Sequence, residues 1–378
     1  MSRVLGIDPG TVSFDVCGRE GDAVFLDVAT STAEVGADPA AFVDVLRAAG
    51  PVDLIVGPSG YGHPWVRAAD VGPQELDVLL LPGAAAGRAT VVPGMRRLLL
   101  ALRDSGLPVW FAPGVVHLTT VPDHRKIDRI DMGTADKLCA AALGVWDQAR
   151  RLGIPFPETS LIYVEMGGAF TAIVVVEEGT VVDGAGGTCG AMGYRALGAM
   201  DGELAYLLGG FDKDLLASGG MAWVAGRPDA AAAEVVAAAA SGDERAALAV
   251  EAFAEGLLKR IAGHVAATGA PCEIMLSGRL AQVPALREAV SARLGGFAPV
   301  RHAESFAAMA SEAAQGAALI AQGLVGGGPE EELVAALRLR EASGSVLDHV
   351  YVSGADALRL RYPQPRRASA PVPGGGSP

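Results

Sequence analysis

The sequence predicts an α/β protein built from two domains of related architecture, and three observations predict it. The chain has 378 residues, which is more than one hydrophobic core of ordinary size needs. Half of the residues are hydrophobic and few are aromatic, with abundant Ala, Val, Leu and Gly, as in well-packed α/β proteins. An apolar strand that ends in a carboxylate and a glycine turn occurs near residue 8 and again near residue 165.

The first copy of this unit lies in residues 3–28. An apolar strand runs into Asp8, a Pro-Gly turn containing Gly10 follows, and Thr11 and Ser13 come shortly after it. Two more strands complete a three-stranded meander. A carboxylate that faces the N–H groups and hydroxyls of a tight turn suits a magnesium-bound phosphate chain. An ordinary hairpin turn has the same local sequence, so the motif alone leaves both interpretations open.

The rest of the first half alternates predicted helices with short strands. Helices are predicted over 38–49, 94–105 and 134–152, and strands over 53–56 and 109–112. A loop rich in Gly and Pro, residues 57–65, follows the first of these strands. Functional loops occupy such strand ends, so this loop is a candidate for substrate contacts, with a purely structural turn as the alternative. Its candidate side chains are Ser59, Tyr61 and His63.

The densest cluster of charges lies in residues 122–137 and runs into the Ala/Leu-rich helix. Charge runs usually form solvated surface, but these charges stand between a strand and the first turn of an apolar helix. Asp136 in that first turn suits the helix dipole, whereas Lys137 does not. The position of Lys137 therefore indicates a functional role.

The second copy of the unit follows a Gly/Pro break at 153–157, which predicts a domain boundary. Its strand ends in Glu165, and a tight turn and two further strands continue to residue 182. The turn carries Gly167, Gly168 and Thr171. Glycines at such a turn allow backbone N–H groups to approach phosphate oxygens without a Cβ in the way.

The remainder of the second half contains one more turn of this kind. A glycine-rich loop over 183–195, with Arg195 as its cation, can close over a ligand or be merely irregular. The third strand-to-glycine turn consists of Ser277, Gly278 and Arg279. Helices are predicted over 243–268, 284–294 and 308–324, a helix and a short strand over 329–361, and disorder in the Pro/Gly-rich tail from residue 362.

Composition narrows the classes of function. A formal charge of −13 argues against nucleic acid as a partner, because such binding requires a basic surface. It leaves an anionic small substrate open, since a local cluster of cations can oppose the net field. The four cysteines form no CxxC pair, which argues against a disulfide framework or a zinc site. No apolar run reaches the roughly 18 residues of a membrane span and no signal-peptide pattern is present, so we expect a cytoplasmic protein without a membrane partner.

The three glycine turns, at 8–11, 165–168 and 277–279, resemble the phosphate-1, phosphate-2 and adenosine motifs of the sugar kinase, actin and Hsp70 superfamily. The resemblance covers residues 3–325. It implies two ribonuclease-H-like domains, each a five-stranded mixed sheet with helices, and an ATP cleft between them. The domains expected from it are residues 1–153 and 154–325, with a C-terminal extension over 326–361 and a tail over 362–378.

Four further segments are similar to a family of uncharacterised prokaryotic proteins, a domain of unknown function described as predicted butyrate kinases. These segments are 58–62, 131–137, 197–203 and 314–317. Residues 133–137 are also similar to the Gly-x-Asp-Arg element of type III pantothenate kinases, with Lys137 in place of Arg. The chain departs from the superfamily at Glu165, where the second phosphate motif usually has Asp, and this difference would change the distance to a metal.

The resemblance also implies a role for each candidate residue. Asp8 would hold Mg²⁺, and Glu165 would be a second acidic contact to the metal or the nucleophile. The predicted contacts to the phosphates of ATP are Gly10, Thr11, Ser13, Gly167, Gly168 and Thr171, and those to adenosine are Ser277, Gly278 and Arg279. Cations near the transferring group or an anionic substrate would be Arg125, Lys126, Lys137 and Arg195, and the candidate bases are Asp128 and Asp136. A carboxylate acceptor needs cations and no base, whereas a hydroxyl acceptor benefits from a base, and the 122–137 cluster offers both.

The leading hypothesis is a kinase that uses ATP and Mg²⁺ and acts on a small anionic metabolite, with a short-chain carboxylate as one candidate acceptor and a homodimer left open. The alternative is an ATP-binding switch or chaperone-like protein of the same fold. Activators of radical dehydratases share the fold but hold an iron–sulfur cluster on closely spaced cysteines, which this chain lacks. A ribonuclease-H-like nuclease needs a basic groove for DNA, which the acidic balance opposes.

Overall fold

The computed structural model describes residues 2–57, 60–82, 94–362 and 372–373. The strands are β1 (Arg3–Pro9), β2 (Ser13–Glu20), β3 (Ala23–Ser31), β4 (Leu54–Gly57), β5 (Val66–Arg67), β6 (Val109–Phe111), β7 (Leu161–Met166), β8 (Thr171–Glu177), β9 (Thr180–Ala185), β10 (Glu273–Ser277) and β11 (Val300–His302). The helices are α1 (Thr32–Ala37), α2 (Pro39–Ala48), α3 (Pro73–Leu80), α4 (Met95–Asp104), α5 (Asp123–Lys126), α6 (Ala135–Leu152), α7 (Gly202–Leu208), α8 (Met221–Val224), α9 (Ala232–Ala240), α10 (Glu244–Thr268), α11 (Pro284–Leu294), α12 (Glu312–Val325), α13 (Glu330–Ala336) and α14 (Ala355–Arg361). Short 3₁₀ turns cover Ala68–Asp70, Val115–His117, Phe156–Glu158, Lys213–Ala217, Arg279–Gln282 and Leu339–Glu341.

The strands form two mixed sheets with the same topology. The first sheet has the order β3-β2-β1-β4-β6-β5 and the second has the order β11-β10-β7-β8-β9. In each sheet the opening strand of the repeat is central: it pairs antiparallel with the strand that follows it and parallel with a strand further along the chain. The predicted pair of related five-stranded sheets is confirmed, with the two-residue strand β5 added at one edge of the first.

Helices cover both faces of both sheets and explain why the central strands are apolar throughout. Residues of α6 and α12 share one core cluster with inward-facing residues of both sheets. The opposite face of the first sheet packs on α2, α3 and α4, and that of the second packs on α8 to α11. Strands β7 and β8 are almost entirely buried, as expected for strands covered on both faces.

Helix α12 lies unusually close to its neighbours because glycines leave room for it. A Cβ on Gly6 of β1 would lie 2.1 Å from the carbonyl oxygen of Ala314, and a Cβ on Gly316 would lie 1.8 Å from that of Cys139 on α6. The small residues of α12 permit this close packing. Helix α12 therefore packs against the first sheet, although it follows the second sheet in the chain.

Two predicted elements differ from the structure. The helix expected over 308–324 begins at Glu312, because the carboxylate of Asp27 accepts hydrogen bonds from the N–H groups of Ala308, Met309 and Ala310. Residues 329–361 contain helices α13 and α14 and a 3₁₀ turn but not the predicted strand. The predicted disordered tail lies mostly outside the described residues, as does Ser59. The domain boundaries given above stay a prediction.

Among the described residues, no helix combines the length and the apolar character that crossing a bilayer requires.

Candidate active site

A cleft of about 780 Å³ opens at the carboxyl ends of β1, β7 and β10. All three predicted glycine turns contribute to its wall, together with the start of α6 and the segment before α12. Ligand sites in α/β proteins usually lie at the carboxyl ends of the parallel strands. The repeated fold therefore brings together motifs that are up to 270 residues apart in the chain.

The first two turns have the same backbone geometry. Gly10 N–H donates to Ser13 O and Gly167 N–H donates to Phe170 O, each over 2.9 Å. A Cβ on Gly10 would lie 2.7 Å from Ser13 O, and a Cβ on Gly167 would lie 2.8 Å from Phe170 O, so each turn requires glycine. The two hairpins have the same pairing register, and Gly167 occupies the position in the second copy that Gly10 occupies in the first. Two equivalent concave turns thus face one cleft.

Buried carboxylates and one lysine occupy the centre of the cleft. Lys137 Nζ lies 2.6 Å from Glu165 Oε1 and 2.6 Å from Asp136 Oδ2, and Thr134 Oγ1 donates to Asp136 Oδ1. Burial alone would lower the pKa of Lys137. The negative charges of Asp136 and Glu165 have the larger effect, so the pKa of Lys137 is raised. The first turn of α6 therefore carries a lysine whose positive charge is stabilised by the neighbouring carboxylates. The helix dipole alone would disfavour a lysine at this position.

Asp8 lies one residue before the end of β1 and faces Asp15 across the hairpin. Ser311 links the pair, since its Oγ donates to Asp8 Oδ2 over 2.7 Å and its N–H donates to Asp15 Oδ2 over 3.1 Å. Burial, followed by repulsion from Asp136, raises the pKa of Asp8 well above its ordinary value. Burial raises the pKa of Asp15 and Glu165 as well. The buried carboxylates at the centre of the cleft therefore outnumber Lys137, the lysine that compensates their charge.

Three carboxylate oxygens in this site are buried and have no hydrogen-bond partner: Asp8 Oδ1, Asp15 Oδ1 and Glu165 Oε2. Unpaired buried carboxylate oxygens are costly unless a cation or a donor completes them. Within the described chain, however, no three acidic, His or Cys side chains converge as a ready-made metal cage. Such a site fits Mg²⁺, which keeps several waters and binds through one or two carboxylates together with substrate phosphates.

The third turn joins the first across the cleft. Gly278 has φ +82°, and a Cβ there would lie 2.7 Å from Met166 O, so the turn needs glycine. Arg279 Nη2 donates to Ser13 Oγ over 2.9 Å. Ser277 is buried beneath the turn, with its hydroxyl near Val164 O rather than in the cleft wall.

The first part of the 122–137 cluster does not reach the cleft, which corrects three predictions. The side chain of Arg125 donates to Val182 O over 2.8 Å, and Lys126 is buried and donates to Leu118 O over 2.9 Å. Asp128 Oδ1 accepts from the N–H of Tyr351 over 2.7 Å. Each of these charges is hydrogen-bonded to a backbone group outside the cleft wall.

Three more predicted contacts lie outside the cleft wall. His63 is fully buried, and its Nδ1 lies 3.2 Å from Pro64 O. Thr171 is buried at the start of β8, at the position equivalent to Phe14 in the first copy, so its hydroxyl is not the counterpart of Thr11. Arg195 is exposed beside the second turn, to which only its backbone is bonded. Tyr61, in contrast, lines the cleft.

Asp131 connects the two halves beside the cleft. Its Oδ2 accepts hydrogen bonds from Thr188 N–H over 2.9 Å and Thr188 Oγ1 over 2.8 Å, and its backbone oxygen accepts from Gly186 N–H over 3.0 Å. The glycine-rich 183–195 loop is therefore held against the end of the 122–137 cluster. A Cβ on Gly186 would lie 1.7 Å from Asp131 Oδ1, so this contact also requires glycine.

Sequence reasoning missed three residues of the site: Asp15, Ser311 and Lys213. A signal existed for Asp15, because a hairpin centred on the 8–11 turn places it opposite Asp8. Ser311 precedes an Ala-rich helix and could have been recognised as an N-cap, though not as a partner of Asp8. Lys213 lines the cleft from the 3₁₀ turn after α7, and no local pattern marks it.

The fold of this chain is similar to that of solved structures of propionate and acetate kinases. A propionate kinase from Francisella tularensis is similar in structure, with a TM-score of 0.59 and 14% identity over 84% of this chain and 99% of that one. An acetate kinase from Porphyromonas gingivalis is similar with a TM-score of 0.55 and 17% identity, over 79% of this chain and 88% of that one. An acetate kinase from Entamoeba histolytica gives a TM-score of 0.54 and 11% identity, over 78% and 87% of the two chains. At these identities the likeness concerns the fold.

The particular family follows from sequence. Residues 6–352 match the family model described as "Protein of unknown function (DUF1464)", and the chain belongs to that family. None of the curated proteins matches the sequence.

Proposed function

We propose that the protein is an ATP-dependent phosphotransferase that acts on a small anionic metabolite. The observation that carries this proposal is the pair of equivalent glycine turns facing one cleft, with unpaired carboxylate oxygens and Lys137 between them. Kinases of propionate and acetate share the fold, which supports the reaction class. Phosphoryl transfer depends mainly on positioning and charge neutralisation, and these residue types supply both.

In this proposal the turn formed by Gly10, Thr11 and Ser13 binds phosphates from one side of the cleft, with the hydroxyls of Thr11 and Ser13 as donors and Gly10 leaving room for a close approach. Gly167 and Gly168 bind them from the other side, and Gly278 and Arg279 contact adenosine. Asp8 and Glu165, with Asp15 beside them, would hold Mg²⁺ through their unpaired oxygens. Bound there, Mg²⁺ would neutralise charge on the β- and γ-phosphates. Lys137 lies between Asp136 and Glu165, so it offers positive charge to the transferring group.

The transfer step needs one new bond and one broken bond. An acceptor oxygen bonds to the γ-phosphorus while the bond from that phosphorus to the β–γ bridging oxygen breaks, and ADP leaves with the electron pair. Both oxygens of Asp136 are already engaged, one by Thr134 and one by Lys137. This arrangement favours an acceptor that is already ionised and needs no base, such as a carboxylate, whose product is an acyl phosphate.

The test is an acceptor screen with purified protein, MgATP and ADP release as the readout. The panel contains acetate, propionate, butyrate, hexoses, N-acetylhexosamines and pantothenate. ADP formation that depends on one acid and requires Mg²⁺ supports the proposal. Nucleotide binding without acceptor-dependent ADP would contradict it, and slow hydrolysis that no acceptor stimulates would favour the ATP-binding switch instead.

A further inference from the structure

Three cations line the cleft among the described residues, and they differ in how their charge is compensated. Lys137 is paired with two carboxylates at 2.6 Å each. Arg279 is bonded to Ser13 in the first glycine turn. Lys213 bonds backbone carbonyls instead of a carboxylate. Its charge is therefore available to an anion that enters the cleft.

The position of Lys213 is fixed by the opposite half of the molecule. Its Nζ donates to Leu80 O over 2.8 Å and to Leu81 O over 3.3 Å, and it lies 4.4 Å from the centroid of the Tyr61 ring. Leu81 ends α3 with φ +45°, so these carbonyls belong to the end of a helix, where they have no partner within the helix. Helix C-terminal carbonyls and aromatic faces both stabilise an ammonium group. Two of the three N–H bonds of Lys213 are used, which leaves one for a ligand.

The surroundings of Lys213 in the cleft are largely apolar. Tyr61 and Leu80 lie against Lys213, and Leu79 and Met95 line the same cleft. Asp131, a carboxylate whose charge raises the pKa of Lys213, is itself occupied by the hydrogen bonds from Thr188. A single ammonium group against hydrocarbon suits an ionised group carried on a short hydrocarbon chain. Water-poor surroundings strengthen such a charge pair relative to one in solvent.

We propose that Lys213 is the residue that recognises the acceptor, by donating its remaining N–H to an ionised carboxylate whose hydrocarbon part rests on Tyr61 and Leu80. This inference rests on the proposed function and extends it to acceptor specificity. The phosphorylated oxygen belongs either to that carboxylate or to a hydroxyl of the same molecule. Lys213 is a specificity-determining residue in either case.

The experiment measures ligand binding to the full chain, in the presence of Mg²⁺ and a non-hydrolysable ATP analogue, so that turnover is not required. The probes are butyrate, 3-hydroxybutyrate and uncharged butyramide. Lys213→Met removes the charge and the donors, Lys213→Gln removes the charge but keeps donors for the carbonyls of Leu80 and Leu81, and Lys213→Arg keeps the charge. Lys259→Met, at an exposed lysine on α10, is the matched control.

We expect wild type to bind at least one of the two acids more tightly than butyramide. The Kd for that acid should rise about tenfold or more in Lys213→Met and Lys213→Gln, because a charge-assisted hydrogen bond is lost. Lys213→Arg should restore most of the affinity, and Lys259→Met should match wild type. The Kd of the nucleotide analogue should stay unchanged in every variant, which also shows that each one folds.

Acid binding that is equal in wild type and Lys213→Gln would overturn the assignment of Lys213. So would butyramide binding as tightly as the acids, or binding of neither acid while the nucleotide analogue still binds. Failure of wild type to bind the nucleotide analogue would instead overturn the proposed function. The two failures are therefore distinguishable.

Discussion

At the scale of single residues, the centre of the cleft concentrates negative charge around one lysine. Asp8, Asp15 and Glu165 each have a buried oxygen without a partner, while Lys137 is shared between Asp136 and Glu165. A protein of marginal stability tolerates such unpaired groups mainly where a ligand completes them. The unpaired oxygens are therefore the strongest local indication of a cation site.

Asp8→Asn tests that indication. The amide keeps an oxygen that can accept from Ser311 but loses the charge that would hold Mg²⁺, so we expect turnover to fall by about 100-fold or more. The affinity for the metal-free nucleotide should change little. Steady-state ADP release and a nucleotide titration with and without Mg²⁺ measure the two effects. Asp44→Asn, at an exposed ion pair on α2, is the control and should behave as wild type. Equal metal dependence in Asp8→Asn and wild type would rule out the role of Asp8.

Lys213 gives a prediction for pH dependence. Burial lowers the pKa of Lys213 to about 8, and Asp131 partly opposes this shift. The other titratable group against it is Tyr61, whose own pKa burial raises, so Tyr61 stays neutral in this range. Because the folded-state pKa is depressed, the ammonium is present below about pH 8 and is lost above it. The KM for an anionic acceptor should therefore be constant below pH 7 and rise about tenfold per pH unit above pH 8.

The pH prediction has its own control. Lys213→Arg stays charged throughout this range, so its KM for the acceptor should remain flat where that of wild type rises. The KM for MgATP should not follow the wild-type profile. A rise that is identical in wild type and Lys213→Arg would assign the pH dependence to another group.

Residues were predicted well from the sequence where their partners are local and poorly where they are distant. The turn around Gly10 is bonded to Ser13, three residues away, and its geometry follows from the motif. Lys213 acquires its position from Leu80 and Leu81, more than 130 residues earlier, and only the tertiary fold brings them together. Arg125 fails for the same reason, because the backbone carbonyl that binds it belongs to Val182, 57 residues further along the chain.

At the scale of elements, the site depends on how α12 is seated. The helix carries Ser311 at its N-cap, so the position of the helix determines where the hydroxyl that bonds Asp8 lies.

The α11 helix was predicted over its exact span because Pro284 opens it and the pattern is local. The start of α12 was misplaced by four residues because Asp27, on a strand of the other half, takes the N–H groups that a longer helix would use.

Gly316→Ala tests the seating of α12. A methyl group there would lie 1.8 Å from Cys139 O, which is backbone, so α6 and α12 must separate. Overpacking of this kind costs about 1–3 kcal/mol of unfolding free energy, and more where the backbone cannot move. Denaturant or thermal unfolding measures the loss. Because Ser311 would shift with the helix, turnover should fall as well.

Gly263→Ala is the matched control, at a helical glycine of α10 whose Cβ would meet no atom within 4 Å. There the higher helix propensity of Ala should stabilise the protein by about 0.5–1 kcal/mol. Opposite signs for the two Gly→Ala changes are the expected result. If Gly316→Ala were as stable as Gly263→Ala, the close contact between α6 and α12 would not limit the fold.

At the scale of the whole molecule, several polar contacts cross between the halves around the cleft. Among them are Arg279 with Ser13, Asp131 with Thr188, and Lys213 with Leu80. The overall architecture was predictable because the sequence repeats one strand-and-glycine-turn unit. The second copy of this unit supports the interpretation of the first. The contacts that join the copies were not predictable, since each pairs residues from segments with no pattern in common.

These crossing contacts predict how a nucleotide should change stability. A ligand held by both halves binds the folded state alone and raises the unfolding free energy by about 2.7 kcal/mol at 100 times its Kd. A non-hydrolysable ATP analogue with Mg²⁺ should therefore raise the Tm by several degrees, as measured by calorimetry. Arg279→Ala removes a contact to Ser13 and a proposed contact to adenosine, so it should reduce this rise at the same ligand concentration. Arg293→Ala, at an exposed pair between α10 and α11, should keep the full rise. An equal rise in Arg279→Ala and Arg293→Ala would mean that the nucleotide is held without the third turn, and the assignment of that turn to adenosine would be wrong.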